Sequence, residues 1–134
     1  MIEPQAAPQP GGRILLVEDD AIVAQIYHIA LTRQGFEVIL AQDGEAGLRG
    51  AMESSPKLVF LDIRLPKLDG IEVLRRLKQH AATRAIPVVM LTNYDDPELI
   101  RASRELGAKD YIVKVNTDPT ELPLIATRWI TEGA

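Results

Sequence analysis

Two hydrophobic periods alternate along this chain. Unbroken apolar runs recur at Ile14-Leu15-Leu16-Val17, Leu58-Val59-Phe60-Leu61, Val88-Val89-Met90-Leu91 and Tyr111-Ile112-Val113. Such runs mark strands buried on both faces. They predict strands over 13–18, 57–62, 86–92 and 110–114, with a further strand over 36–41. Between them apolar residues fall at helical spacing. Ile22, Val23, Ile26, Ile29 and Ala30 give a first helix with Gly35 where it stops, and Leu48, Ala51 and Met52 give the inner face of a second over 44–54. Ile71, Leu74 and Leu77 line a third, after a loop punctuated by Pro66 and Gly70. The fourth has Asp96 as N-cap, Pro97 at its first position, Leu99, Ala102, Ser103 and Leu106 inward, and Gly107 closing it. Leu122, Ile125, Ala126, Trp129 and Ile130 form a last amphipathic helix. Pro123 would remove a hydrogen bond inside it, so this helix is expected to start near Leu122 and to be short.

Five strand-helix units imply a parallel sheet with right-handed crossovers and helices on both faces. The expected fold is α/β, a flavodoxin-like (βα)5 doubly wound sheet of order 2-1-3-4-5. Ligands of such sheets gather at the carboxyl ends of the strands, where the strand order reverses. Those ends carry Glu18-Asp19, Asp62, Thr92 and Lys114. Three carboxylates so placed repel one another unless a cation joins them. Mg2+ suits the set, because it accepts few protein carboxylates, keeps several waters and coordinates phosphoryl oxygens. Lys114 adds a point charge able to pair with Asp62, and Thr92 a hydroxyl able to donate to a phosphoryl oxygen. Positioning and charge neutralisation are what phosphoryl transfer demands. Each residue also has a plain structural reading. Acids after strands cap helices, as Asp20 is placed to do; Thr92 would be a strand-end hydroxyl and Lys114 a solvated cation.

Length and composition narrow the picture. At 134 residues the chain is expected to hold one domain, with residues 1–12, rich in Pro, Gln, Ala and Gly, as a disordered tail and residues 13–134 as the folded unit. A net charge of −4 advertises no basic face for nucleic acid or an anionic membrane. The chain has no cysteine, which excludes disulfides, thiolate zinc sites and cysteine nucleophiles, and only two histidines, His28 and His80. No apolar run approaches the roughly 18 residues of a membrane span, and no signal peptide is visible. A cytoplasmic location is the default.

The motifs Ile-Leu-Leu-Val-Glu-Asp-Asp, Leu-Asp-Ile-Arg-Leu-Pro-Lys-Leu-Asp-Gly, Met-Leu-Thr-Asn and Gly-Ala-Lys-Asp-Tyr-Ile-Val-Lys resemble those of the receiver domains of bacterial two-component response regulators. The resemblance runs from Arg13 to Ile130 and is nearest to a chemotaxis-type single-domain receiver. It implies that Asp62 accepts a phosphoryl group from a sensor histidine kinase or a histidine-phosphotransfer protein. It implies that Asp19, Asp62 and the backbone carbonyl of Arg64 bind Mg2+, with Glu18 acting through water. Thr92 and Tyr111 would be the switch pair, the tyrosine turning inward as the threonine engages the phosphoryl group, and Asn93 and Tyr94 would tune access of water. Output would pass to a protein target or a self-dimer through the face of the fourth helix, fifth strand and fifth helix, with no direct nucleic acid or membrane contact. The chain would not be an enzyme beyond its own phosphorylation and dephosphorylation. One departure stands out: Lys114-Val115 occurs where the family has Lys-Pro with a cis bond. Before valine a cis bond costs about 2.5–4 kcal/mol, so a trans bond is expected, with residues 116–120 displaced from the family's path. Two alternatives remain. One is a pseudo-receiver that binds partners without phosphorylation. The other is a haloacid-dehalogenase-like phosphatase, which wants a second acid where Arg64 stands.

Overall fold

A computed structural model describes residues 11–93 and 95–133, so most of the expected tail, and Tyr94, lie outside the described residues. Five strands, β1 (Gly12–Val17), β2 (Phe36–Ala41), β3 (Leu58–Asp62), β4 (Val88–Thr92) and β5 (Asp110–Val113), alternate with α1 (Ala21–Thr32), α2 (Gly44–Ser54), α3 (Gly70–Gln79), α4 (Pro97–Glu105) and α5 (Leu122–Gly133). All pairings are parallel and the order is β2-β1-β3-β4-β5, as the pattern predicts. The unbroken apolar runs are explained by burial on both faces. Ile14, Leu16, Leu58, Phe60, Val89, Leu91 and Ile112 pack under α1 and α5. Leu15, Val17, Val59, Leu61 and Met90 pack on the other side with Ala51 of α2 and Val73, Leu74 and Leu77 of α3.

Four aspartates open four helices. Asp20, Asp43, Asp69 and Asp96 accept hydrogen bonds from backbone amides in the first turns of α1, α2, α3 and α4. The structural reading of an acid after a strand therefore holds for these four, and it separates them from Glu18, Asp19 and Asp62.

Several details differ from the sequence expectations. β1 starts at Gly12, inside the expected tail, and β5 ends at Val113, so that Lys114 opens a 3-10 turn over Lys114–Asn116. The inner face of α1 is Ala24, Tyr27 and Leu31 with Val23 beside them, whereas Ile22, Ile26 and Ile29 are 74%, 46% and 41% exposed. Met52 also faces outward, and Gly44, Gly47 and Ala51 turn α2 onto the sheet. α5 starts at Leu122 as expected but runs twelve residues, no shorter than α1. Pro123 occupies its second position, where the amide would have had no helical partner in any case, and a 3-10 turn over Pro119–Glu121 leads into it. No described peptide bond is cis, so Lys114-Val115 is trans.

Gly70 decides how closely α3 approaches the end of β3. A Cβ there would lie 2.1 Å from the Asp62 carbonyl oxygen and 2.7 Å from Ile63 Cα, and both are backbone atoms with little room to yield. Its amide donates to the Ile63 carbonyl at 2.7 Å. Gly70→Ala is therefore expected to lower stability by about 1–3 kcal/mol, the range of core overpacking, as measured by urea unfolding.

Candidate functional site

Strand register assembles the site. Val17 pairs with Leu61, so Glu18 and Asp62 each stand one step beyond that pair on neighbouring strands. Asp62 pairs with Leu91, and Thr92 with Val113, which brings Thr92 and then Lys114 to the same edge. Alternation then sorts the side chains by face. Glu18, Asp62 and Lys114 continue the series of Leu16, Phe60 and Ile112, which packs under α1 and α5. Thr92 continues the series of Met90 on the opposite face, where Tyr111 also packs.

The charged residues meet as that parity requires. The Lys114 ammonium donates to Glu18 Oε1 at 2.5 Å and to Asp62 Oδ2 at 2.7 Å, and its side chain is only 8% exposed. Glu18 is 1% exposed and its other oxygen, Oε2, accepts from the Asp20 amide at 3.1 Å. Asp62 Oδ1 accepts from the Arg64 amide at 3.3 Å. Burial pushes the Glu18 carboxyl up to about 7; Lys114 opposes this and the charge of Asp62 adds to it. Burial alone would lower the Lys114 pKa, but its bonds to Asp62 and Glu18 outweigh that and leave it raised.

Glu18, Asp19 and Asp62 bring carboxylate oxygens within 4.8 Å of one another. Two of these acids share Lys114, whereas the exposed Asp19 has no hydrogen-bond or ion-pair partner among the described residues. Three acids against one ammonium leave an excess of negative charge, and the hard oxygen donors suit a cation such as Mg2+. A cavity of about 600 Å3 opens beside Asp19, walled by Arg64, Pro66, Ile71 and Leu99.

Thr92 is buried at the end of β4. The Tyr111 hydroxyl is hydrogen-bonded to the Thr92 side chain and accepts from the backbone amide of Asp96, the N-cap of α4; burial raises its pKa and these bonds oppose the rise. The tyrosine is thus already turned inward. Asn93 follows, exposed, at the rim of the site. Behind β5, Trp129 Nε1 donates to Asp110 Oδ2 at 3.1 Å, while Asp110 Oδ1 accepts from the Tyr111 amide at 2.8 Å.

Two features escaped the sequence reading. Tyr27 of α1, 4% exposed, lies near enough for its phenol to feel the charges of Lys114, Glu18 and Asp62, although burial is the largest cause of its raised pKa. Its place among two apolar stripes of α1 gave no signal. The direct bond from Glu18 to Lys114 was also missed; the only hint was that a glutamate reaches one methylene further than an aspartate.

Residues 14–126 match the family described as the response regulator receiver domain. The chain is 41% identical over 101 residues to the transcriptional regulatory protein AfsQ1 of Streptomyces coelicolor, covering 75% of this chain and 44% of that protein. It is also 41% identical over 102 residues to the alkaline phosphatase synthesis transcriptional regulatory protein PhoP of Bacillus subtilis, covering 76% of this chain and 42% of that one. The chain thus spans less than half the length of these relatives, and they lend no support to the single-domain expectation. Related proteins named as DNA-binding response regulators, such as MtrA of Mycobacterium tuberculosis, leave the expectation of no direct nucleic-acid contact without support, and it is withdrawn. No helix among the described residues is long and apolar enough to cross a membrane. Among solved structures, a CheY-like response regulator receiver domain protein from Methanospirillum hungatei superposes with a TM-score of 0.83 at 28% identity, over 90% of this chain and 94% of that one. The Mn2+-bound form of response regulator Rcp1 gives 0.72 at 31% identity, over 88% and 91%. Fold, acid cluster and sequence agree: the chain belongs to the response regulator receiver domain family.

Proposed function

We propose that Asp62 is the phosphoacceptor and that the protein switches protein-protein contacts when it is phosphorylated. The observation that carries this reading is the Lys114 ammonium, delivered from the end of β5 to within 2.7 Å of the Asp62 carboxylate. An Asp62 oxygen attacks the phosphorus of a histidine-bound phosphoryl group. The P–O bond forms as the P–N bond breaks, and the departing imidazole nitrogen takes up a proton. Lys114 then pairs with the phosphoryl oxygens, and Thr92 donates to one of them. Asp19, Asp62 and the Arg64 carbonyl would hold Mg2+, with Glu18 acting through water, and the bound ion would neutralise phosphoryl and carboxylate charge. Asn93 and Tyr94, which follow Thr92 in the sequence, would tune access of water and so the lifetime of the acyl phosphate.

The exposed stripe of Ile22, Ile26 and Ile29 begins two residues after Asp20 and gives a histidine-bearing donor, a sensor kinase or phosphotransfer protein, an apolar face beside the site. The complete set of acids, hydroxyl and lysine speaks against a phosphorylation-independent pseudo-receiver. Arg64, two residues after Asp62, speaks against a haloacid-dehalogenase-like phosphatase.

Incubation with acetyl phosphate and Mg2+ is expected to add one phosphoryl group to the wild type, labile to hydroxylamine. Asp62→Asn should abolish the labelling, and unchanged labelling of that variant would refute the assignment. Asp19→Asn is expected to weaken Mg2+ binding at least about tenfold, the scale of losing one of few carboxylate ligands, by isothermal calorimetry. Its fold should remain intact or gain stability from relieved repulsion. The output is assigned to the face of α4, β5 and α5, because Tyr111 joins Thr92 to the N-cap of α4. Beryllofluoride with Mg2+ should therefore change sedimentation or shift amide resonances over residues 95–110, and no change in either would exclude this face.

A further inference from the structure

Hydrogen bonds hold α4 at its two ends. At the start the Asp96 carboxylate caps the amides of Glu98 and Leu99, and the Asp96 amide donates to the Tyr111 hydroxyl. At the end Gly107 turns the chain with a φ of 102°, the Ala108 amide donates to the Ser103 carbonyl at 2.9 Å, and the Lys109 amide donates to the Val88 carbonyl at 2.8 Å. The middle of the helix is held by less. α3 buries Val73, Leu74 and Leu77, whereas the residue that α4 buries is a serine, Ser103.

Ser103 is 1% exposed, and its hydroxyl has no hydrogen-bond partner among the described residues. It does not bond back to the carbonyl of Leu99 one turn earlier, the usual recourse of a helical serine. A buried hydroxyl without a partner raises the free energy of the arrangement that buries it, and an alanine would take the same place without that penalty. A rotation of α4 about its axis brings the hydroxyl to water and relieves it. We infer that Ser103 is a built-in bias on the output switch: its hydroxyl destabilises this seat of α4 and raises the fraction of protein in a shifted, output-competent arrangement. This rests on the reading of α4, β5 and α5 as the output face, and it adds a residue that touches neither the phosphorylated aspartate nor the metal.

Beryllofluoride titration at saturating Mg2+ tests it, with fluorine NMR reporting binding and the amide resonances of residues 95–110 reporting α4. The apparent affinity for an activator follows the fraction of protein already in the competent arrangement. Ser103→Ala should therefore bind beryllofluoride about tenfold more weakly, a loss within the range that one unsatisfied buried hydroxyl costs. Alanine also has the higher helix propensity, but that gain is common to both positions of α4; it raises the urea midpoint and leaves the beryllofluoride affinity alone. Unchanged or tighter binding by Ser103→Ala would thus overturn the inference, whatever the urea midpoint does. Beryllofluoride that binds the wild type without shifting residues 95–110 would instead strike the output face. The penalty is then read in the free protein by hydrogen exchange, where the α4 amides of Ser103→Ala should exchange about tenfold more slowly. A slowing of about twofold or less, which helix propensity alone supplies, would overturn the inference there too.

Discussion

Burial of one ammonium between two carboxylates is the constraint around which this molecule is arranged. Removing a charge from water costs several kcal/mol after relaxation, so Lys114, Glu18 and Asp62 each depend on the others being present. The ion pairs elsewhere are of another kind. Arg13 with Glu37 and Arg128 with Glu132 join largely exposed side chains, where such a pair is worth about 1 kcal/mol or less. The buried trio is better understood as stored reactivity than as stabilisation. Its excess of negative charge invites a cation, and Gly70 lets backbone pass close enough to fix Asp62 without a clash.

The sheet divides chemistry from signalling. Glu18, Asp62 and Lys114 continue residue series that face α1 and α5, whereas Thr92 and Tyr111 belong to the series that faces α3 and α4. In the proposed cycle a change at Asp62 would cross the plane of the sheet through the neighbouring strand end, with Thr92 as the crossing point. On the far side stands a lightly held helix. Ser103 is the one buried residue of α4, and its hydroxyl has no hydrogen-bond partner among the described residues. An unsatisfied buried hydroxyl costs about 1–3 kcal/mol, so α4 gives up little when it moves. Tyr111, which reaches both Thr92 and the amide of Asp96, is placed to pass that movement on.

Much of this was legible in the sequence, and the gaps have physical causes. Short unbroken apolar runs alternating with helical periods read as strands buried on both faces, so the residues at their carboxyl ends followed directly, and the strand order followed from the flavodoxin-like fold that five such units fit. The face of α1 did not. In Ala-Ile-Val-Ala-Gln-Ile-Tyr-His-Ile-Ala-Leu-Thr two apolar stripes fit the helical period equally well, one through Ile22, Ile26 and Ile29 and the other through Val23, Tyr27 and Leu31. Periodicity cannot choose between them; packing against Phe60 and Ile112 does. Pro123 misled for a different reason, since its cost depends on whether it stands in the first turn or the interior, and a preceding 3-10 turn placed it in the first. The roles of the acids were readable only as a group, because the sequence shows which carboxylates share an edge but not which oxygen reaches Lys114.

Trp129 is the only tryptophan in the chain. Its indole N–H bonds to Asp110, whose other oxygen holds the amide of Tyr111, and the Arg128 guanidinium lies 4.6 Å from its ring centroid. Any fluorescence excited in the tryptophan band therefore comes from a single site, hydrogen-bonded to the residue beside Tyr111 and covered by a cation. That emission is expected to respond to how β5 and α5 sit against each other. On the proposed output face the protein thus carries its own optical gauge.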